Sequence, residues 1–136
     1  MSGWPSCLAV LLGGPWRGEN AMHGDLLAMH EALRERGLRP DEILSLEGRL
    51  DRELVLAFLA SVHGRLEGRS EGEVFLYYSG HGAYAPLDAT DAAGADPALI
   101  FRREDAESPD RWVLWREVFA ALAGPPGVRL LVLPDC

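Results

Sequence analysis

Residues 74–82 read VFLYYSGHG, and this stretch decides the fold class. Its first five residues are β-branched, aliphatic or aromatic, which is typical of a strand buried within a sheet. The segment Ser79-Gly80-His81-Gly82 that follows predicts the end of that strand. The stretch therefore predicts a buried strand with a histidine at its carboxyl end.

Strand and helix patterns alternate on both sides of this stretch. The predicted elements are a strand at 7–12, a helix at 22–37, a strand at 43–46, a helix after the N-cap Asp51, the strand at 74–78, a long surface loop at 84–97, a short strand or hairpin arm at 99–101, a helix at 115–122 and a strand at 128–133. This alternation predicts right-handed βαβ units. We expect a single α/β domain over residues 1–136, doubly wound, with a mostly parallel sheet and helices on both faces.

Composition excludes several classes of function. All 13 basic residues are arginine and the formal net charge is −8, so lysine-dependent phosphate-loop and Schiff-base chemistry is excluded and a nucleic-acid partner is not expected. Two cysteines do not make a disulfide framework. The apolar run at 7–12 is too short to span a membrane, and the amino terminus lacks a basic targeting region. We expect a protein of the reducing cytoplasm without a membrane partner.

Chemistry in a sheet of this kind collects beyond the carboxyl ends of the strands. His81 follows the third predicted strand, and Cys136 follows the last one, 55 residues later. If those strands are neighbours, the imidazole can take the proton of the thiol and produce a nucleophilic thiolate. The backbone N–H of Gly82, together with that of Cys136, is then placed to donate to an oxyanion.

Two segments carry a family resemblance. Residues 77–82, YYSGHG, resemble the histidine motif of metacaspases and other bacterial caspase-like peptidases, and residues 130–136, LLVLPDC, resemble the strand that delivers their cysteine. Residues 24–37 are similar to the first helix of that family and residues 100–105 to its segment after the histidine. The resemblance implies a caspase-like fold and hydrolysis of a protein or peptide substrate through a thioester, with His81 as base, Cys136 as nucleophile and Gly82 as oxyanion contributor. Caspases also place their histidine about 50 residues before the cysteine.

The resemblance extends to substrate binding with two departures. Asp25 matches one acid of the family's pocket for a basic side chain, but the second acid normally stands where this chain has Pro134, and Asp135 is one residue late. Arg or Lys is therefore implied before the scissile bond. The sequence also ends at Cys136, where the family continues into a smaller subunit. We expect a large-subunit portion, poorly active alone, whose sheet is completed by a small-subunit segment or a partner chain.

Two alternatives stay open. The chain is either a peptidase or a catalytically incomplete caspase-like domain that acts as an interaction or regulatory module; a flavodoxin-like binding domain is a weaker third reading. Asp88, Asp91 and Asp96 offer carboxylates for calcium, but their spacing misses the calcium-loop pattern, so a solvated loop is favoured and no cofactor or metal is expected. Trp112 and Trp115, three residues apart, predict an exposed patch for a partner segment.

Overall fold

A mixed sheet of six strands and three helices make up the described residues, 6–86 and 95–135, of the computed structural model. The strands are β1 (Cys7–Gly14), β2 (Ile43–Glu47), β3 (Gly72–Pro86), β4 (Ala95–Ile100), β5 (Val113–Leu114) and β6 (Val128–Asp135). The helices are α1 (Ala21–Glu35), α2 (Arg52–Gly64) and α3 (Trp115–Leu122). The α/β class is confirmed. Within these residues, none of the helices is long and apolar enough to cross a bilayer.

The sheet contains a parallel and an antiparallel part. β1 pairs in parallel with β2 and β3, and β3 pairs in parallel with β6, which gives the order β2-β1-β3-β6. The second half of β3 pairs antiparallel with β4, which pairs antiparallel with β5. Parallel pairs need a long crossover, whereas antiparallel pairs do not. The sheet is therefore parallel where helices link its strands and antiparallel where the chain turns back on itself after β3.

Strand β1 lies in the centre and is buried on both faces. Leu8, Val10 and Leu12 belong to the hydrophobic cluster that α2 and α3 cover. The alternate side chains, among them Cys7 and Leu11, belong to a second cluster under α1. Helices thus cover both faces, because every side chain of a strand with unbroken apolar sequence must leave water. The assignment of Cys7 to the core is confirmed.

Helices α2 and α3 are tied together by an ion pair at the margin of the core. The guanidinium of Arg52 donates two hydrogen bonds to the carboxylate of Glu117, at 2.8 and 2.6 Å, and a third to the carbonyl of Trp112 at 2.9 Å. The N-cap of α2 is formed as predicted, since the Asp51 carboxylate accepts from the backbone N–H of Leu54 at 2.8 Å. These contacts fix the start of α2 against the segment that leads into α3.

Strand β3 is longer than its sequence indicates. The predicted end at Ser79 is wrong, because β3 continues through His81 to Pro86 and pairs His81 with Ile100 in β4. The polar and glycine-rich sequence forms a strand there because a distant segment supplies its backbone partners. The ends of the predicted loop at 84–97 are therefore strand, and residues 87–94 lie outside the described residues.

The two tryptophans predicted to form an exposed patch are buried. Trp112 and Trp115 are each 7% exposed. Trp112 precedes α3 and donates its indole N–H to the carbonyl of Asp105 at 2.6 Å. Trp115 begins α3 and packs edge-on against Tyr78, with ring centroids 6.0 Å apart. That patch prediction is wrong, because Trp112 lies before α3 rather than on it, and both indole rings pack into the interior.

Tyr78 makes Gly80 a position where only glycine fits. The phenol O–H of Tyr78 donates to the backbone carbonyl of His81 at 2.7 Å, and a Cβ at Gly80 would lie far inside contact distance of that oxygen. We expect Gly80→Ala to lower the free energy of unfolding by about 1–3 kcal/mol, as overpacking does. Urea denaturation measures this loss. The matched variant Gly24→Ala, in a helix with open space around the new methyl, should instead gain up to about 1 kcal/mol; equal effects of the two substitutions would contradict the packing described.

Candidate active site

The parallel part of the sheet stops at one edge, where β1 and β6 end and β3 continues into its antiparallel pairing with β4. In register, Gly13 of β1 lies opposite Ser79 of β3, which in turn lies opposite Asp135 of β6. His81 is two residues further along β3. Cys136, the predicted nucleophile, follows Asp135 in the sequence and lies outside the described residues. The structure therefore brings the residue before the predicted nucleophile alongside the strand that carries the predicted base.

Two residues of the loop that follows β1 contact the imidazole of His81. Both carboxylate oxygens of Glu19 lie within hydrogen-bond distance of Nε2, at 2.8 and 3.0 Å. The indole of Trp16 stacks on the imidazole, with centroids 3.8 Å apart and planes 24° apart. The side chain of His81 is only 29% exposed. One contact fixes the direction of Nε2 and the other fixes the plane of the ring.

The loop itself is held in place by its own hydrogen bonds. The backbone N–H of Trp16 donates to Oε2 of Glu19 at 2.9 Å, and the backbone N–H of Glu19 donates to the carbonyl of Trp16 at 3.1 Å. The indole N–H of Trp16 reaches the carbonyl of Ile100 at the end of β4, at 3.4 Å. The ring that stacks on His81 is thereby anchored to the strand opposite His81.

The contact with Glu19 sets the tautomer of the neutral imidazole. A carboxylate only accepts hydrogen bonds, so Nε2 of His81 carries the hydrogen and Nδ1 keeps its lone pair. Within residues 6–86 and 95–135, hydrogen bonds of this ring involve Nε2 alone. The hydrogen bond from His81 lowers the pKa of the Glu19 carboxyl below its usual value, and the backbone N–H of Trp16 adds to this. Glu19 therefore stays ionised beside the ring, and Nδ1 is the atom available as a base.

The two predicted substrate-binding acids are both held by hydroxyl groups of β3. The Ser79 hydroxyl donates to Oδ2 of Asp25 at 2.8 Å, and the Tyr77 hydroxyl donates to Oδ2 of Asp135 at 3.0 Å. Tyr77 and Ser79 are two residues apart on β3 and so point to the same face, the one covered by α1. Asp25 from α1 and Asp135 from β6 thus converge beside Ser79. Their role in binding a substrate stays a prediction.

The remaining predicted site residues have fewer polar contacts around them. Gly82 is exposed and pairs with Leu99, and its oxyanion role stays a prediction. Asp96 forms an ion pair with Arg116 at 3.2 Å, while Asp88 and Asp91 lie outside the described residues. Among the residues the structure describes, no cluster of three or more His, Cys, Asp or Glu side chains is suited to hold a metal ion.

Sequence reasoning missed the residues that orient the histidine. Trp16 and Glu19 lie in the segment GGPWRGE, which indicates only a turn, because no periodicity or motif links it to His81 62 residues later. Ser79 lies inside the quoted histidine motif, but its partner on α1 is visible only in three dimensions. Comparison with known proteins adds nothing to this assignment: no protein-family model matches the chain, and no curated protein matches it significantly.

Tyr77 provides a pH-dependent test of the cluster around Asp135. Burial raises the pKa of Tyr77 to about 12 from an ordinary value of 10.0, and the hydrogen-bonded Asp135 carboxylate adds to the rise. The folded state therefore holds the phenol proton more tightly than the unfolded state. The contribution of the Tyr77 phenol to the free energy of unfolding is complete below pH 10 and is lost as pH rises toward 12.

We expect Tyr77→Phe to flatten the decline in stability over that pH interval. Chemical denaturation at a series of pH values measures the decline. Tyr84→Phe, at a tyrosine that is 70% exposed, is the matched control and should keep it. An equally steep decline in Tyr77→Phe and the control would show that the Tyr77 phenol is not held as described.

Proposed function

We propose that the chain is a caspase-like cysteine peptidase domain in which His81 activates the thiol of Cys136. The observation that carries the proposal is the register of β3 and β6, which sets Asp135 opposite Ser79, two residues before His81. Neighbouring strands lie about 4.8 Å apart. A nucleophile that directly follows Asp135 and a base that closely follows Ser79 therefore start from adjacent backbones.

The orientation of the imidazole suits a general base. Glu19 engages Nε2, so Nδ1 is left to accept the thiol proton, and the Trp16 stack holds the ring in one plane. Neither Trp16 nor Glu19 touches the reacting atoms in this proposal; they are positioning residues. The arrangement follows the general pattern of a nucleophile, a base and a third group that orients the base.

The reaction proceeds through a thioester. Nδ1 of His81 takes the proton of the Cys136 thiol, and the thiolate attacks the peptide carbonyl carbon, with the N–H groups of Gly82 and Cys136 donating to the developing oxyanion. When the C–N bond breaks, the imidazolium gives its proton to the leaving amine. Water then attacks the thioester with His81 again as base, which releases the carboxylic acid and restores the thiol.

A basic side chain before the scissile bond fits the acidic cluster on the α1 side. Asp25 and Asp135 each accept one hydroxyl hydrogen bond, and a carboxylate has further lone pairs to offer. A guanidinium or ammonium group inserted between them would form charge-assisted hydrogen bonds. The Ser79 hydroxyl joins this pocket because it holds Asp25. In this pocket Asp135 takes the place of the family's second acid, whose usual position, one residue earlier, is occupied by Pro134.

The doubly wound caspase-like arrangement requires a further segment beside β6. Among the described residues, β6 pairs with β3 alone, so its other edge carries no strand. Leu131 and Leu133, on the face that α1 covers elsewhere, are 42% and 47% exposed. A small-subunit segment or a partner chain would extend the sheet and cover these leucines. A free thiol nucleophile also suits the reducing cytoplasm predicted from the sequence.

The same edge favours one alternative function. A catalytically incomplete domain that uses β6 to bind another protein would need the edge and the exposed leucines but not the dyad. The two functions differ in whether Cys136 and His81 affect peptide cleavage.

Fluorogenic peptides with Arg, Lys or Asp before the scissile bond test the proposal on a form of the chain extended past Cys136 by the small-subunit segment, because the large-subunit portion is expected to be poorly active alone. We expect cleavage after Arg and Lys and not after Asp, complete loss in Cys136→Ala, and a loss on the order of 10²–10⁴-fold in His81→Ala. Asp25→Asn should raise KM for the Arg peptide more than it lowers kcat. Glu19→Gln, which keeps a hydrogen-bond acceptor but removes the charge, should lower kcat and shift its pH profile.

His23→Ala is the matched control, since His23 is an exposed histidine that pairs with Glu47 on the surface. It should leave cleavage unchanged. Indistinguishable rates for the unsubstituted chain and Cys136→Ala would overturn the peptidase proposal and favour the interaction module.

A further inference from the structure

An open cleft of about 850 Å3 lies next to His81. Its walls come from the loop after β1, the loop after β2 and the segment after β4. Trp16 and Glu19 line the cleft, and the same two residues hold the imidazole of His81. A ligand in the cleft is therefore separated from the proposed base by one layer of side chains.

The cleft is rich in arginine, in a chain whose net charge is −8. Its walls include Arg17, Arg49, Arg102 and Arg103, against Glu19 and Glu104. Positive charge concentrated in a concave surface attracts anions more strongly than the same charges dispersed on a convex one.

The two carboxylates of the cleft are already matched. Glu104 pairs with Arg49, and Glu19 pairs with His81. Arg102 is also engaged, through the Leu50 carbonyl at 3.2 Å and the Asp51 carboxylate at 3.1 Å. Arg17 and Arg103, by contrast, form no direct ion pair with any of the residues in 6–86 and 95–135, although the charge of Arg103 helps to lower the pKa of Glu19. They are the two guanidinium groups that the described part of the chain leaves for a ligand.

The cleft and Asp135 lie on opposite sides of β3, and Asp25 reaches Ser79 of β3 from α1, over the face of the sheet. Asp135 ends β6, which neighbours β3 on one side. Gly48 and Arg49 follow β2, which lies two strands away on the other side. A peptide that crosses the carboxyl edge of the sheet thus meets carboxylates first, then His81, then arginines.

We propose that this cleft binds an acidic side chain of the substrate on the carboxyl-terminal side of the scissile bond, with Arg17 and Arg103 as its ligands. The inference rests on the proposed peptidase function. With a basic residue held by Asp25 and Asp135, the leaving half of the peptide extends past the imidazole that protonates its amine, and the cleft lies in that direction. Guanidinium groups bind carboxylates in a bidentate geometry, which makes arginine suited to the task.

The experiment compares two internally quenched peptides that share an Arg before the scissile bond and differ only in Glu or Gln after it. We expect kcat/KM to be about tenfold higher for the Glu peptide, and the ratio to fall as salt is added because these charges are exposed. In the double variant R17Q/R103Q, the two peptides should be cleaved at the same rate. R34Q, at an exposed arginine in the last turn of α1, is the matched control and should keep the preference. Equal rates for the two peptides in the unsubstituted chain would overturn the proposal and leave the peptidase function standing.

A binding measurement distinguishes recognition of an acidic side chain by the cleft from the peptidase function. Fluorescence anisotropy of a labelled, uncleavable Glu peptide should show tighter binding than the Gln peptide, lost in R17Q/R103Q. If that pattern appears while no peptide is cleaved even by the form extended with the small-subunit segment, the peptidase function fails and the acid-binding cleft stands. Inorganic phosphate serves as a competitor: displacement of the Glu peptide by phosphate at concentrations below the peptide's own Kd would identify a free-anion site and overturn recognition of a substrate side chain.

Discussion

Parallel pairing of β3 with β1 on one side and β6 on the other is the constraint on which the rest of the molecule depends. It aligns in register Gly13 near the end of β1, Ser79 where the parallel pairing of β3 stops, and Asp135 at the end of β6. It also requires helical crossovers, and these cover both faces of the sheet and bury β1 completely. The chemistry at this edge is a consequence of that register, because each polar residue follows a strand whose position the core has already determined.

Beyond this edge, β3 carries His81 into a second, antiparallel pairing with β4. The histidine therefore stands on a backbone that is held on both sides of the transition, unlike a residue in a free loop. Tyr78 reinforces this by donating from beneath to the His81 carbonyl. Trp16 and Glu19 then fix the ring from the loop after β1. Backbone and side chain of the proposed base are positioned by separate sets of contacts, which is what a site with a required proton-transfer geometry needs.

Charge is distributed unevenly around this histidine. Two carboxylates lie on the face that α1 covers, where Tyr77 and Ser79 of β3 hold Asp135 of β6 and Asp25 of α1, and guanidinium groups line the cleft toward β2. Negative and positive charge therefore lie at different places along the carboxyl edge of the sheet. A substrate with opposite charges on the two sides of its scissile bond would be oriented by this field before any close contact forms.

Sequence patterns predicted the elements that depend on local periodicity, and failed where a distant partner decided the structure. The strand β1 and the N-cap Asp51 could be predicted because the sequence patterns that produce them lie within a few residues. The continuation of β3 through His81 is not readable, because Ile100 and Leu99 supply its pairing from a different part of the chain. The roles of Trp16 and Glu19 could not be predicted for the same reason, because a turn sequence does not indicate that it will contact the imidazole of His81. The family resemblance named Asp25 and Asp135 as substrate-binding acids, but the Ser79 and Tyr77 hydroxyl groups that hold them are visible only in the structure.

A base that activates Cys136 lowers the pKa of its thiol, and the pH dependence of alkylation by iodoacetamide measures that effect of His81. Mass spectrometry resolves Cys136 from Cys7, which is 2% exposed and serves as an internal reference for global unfolding. We expect Cys136 to react well below the ordinary thiol pKa of about 8.5, and His81→Ala to move its profile up to that value while Cys7 stays unreactive in both proteins. Superimposable Cys136 profiles in the unsubstituted chain and in His81→Ala would show that His81 does not activate the thiol.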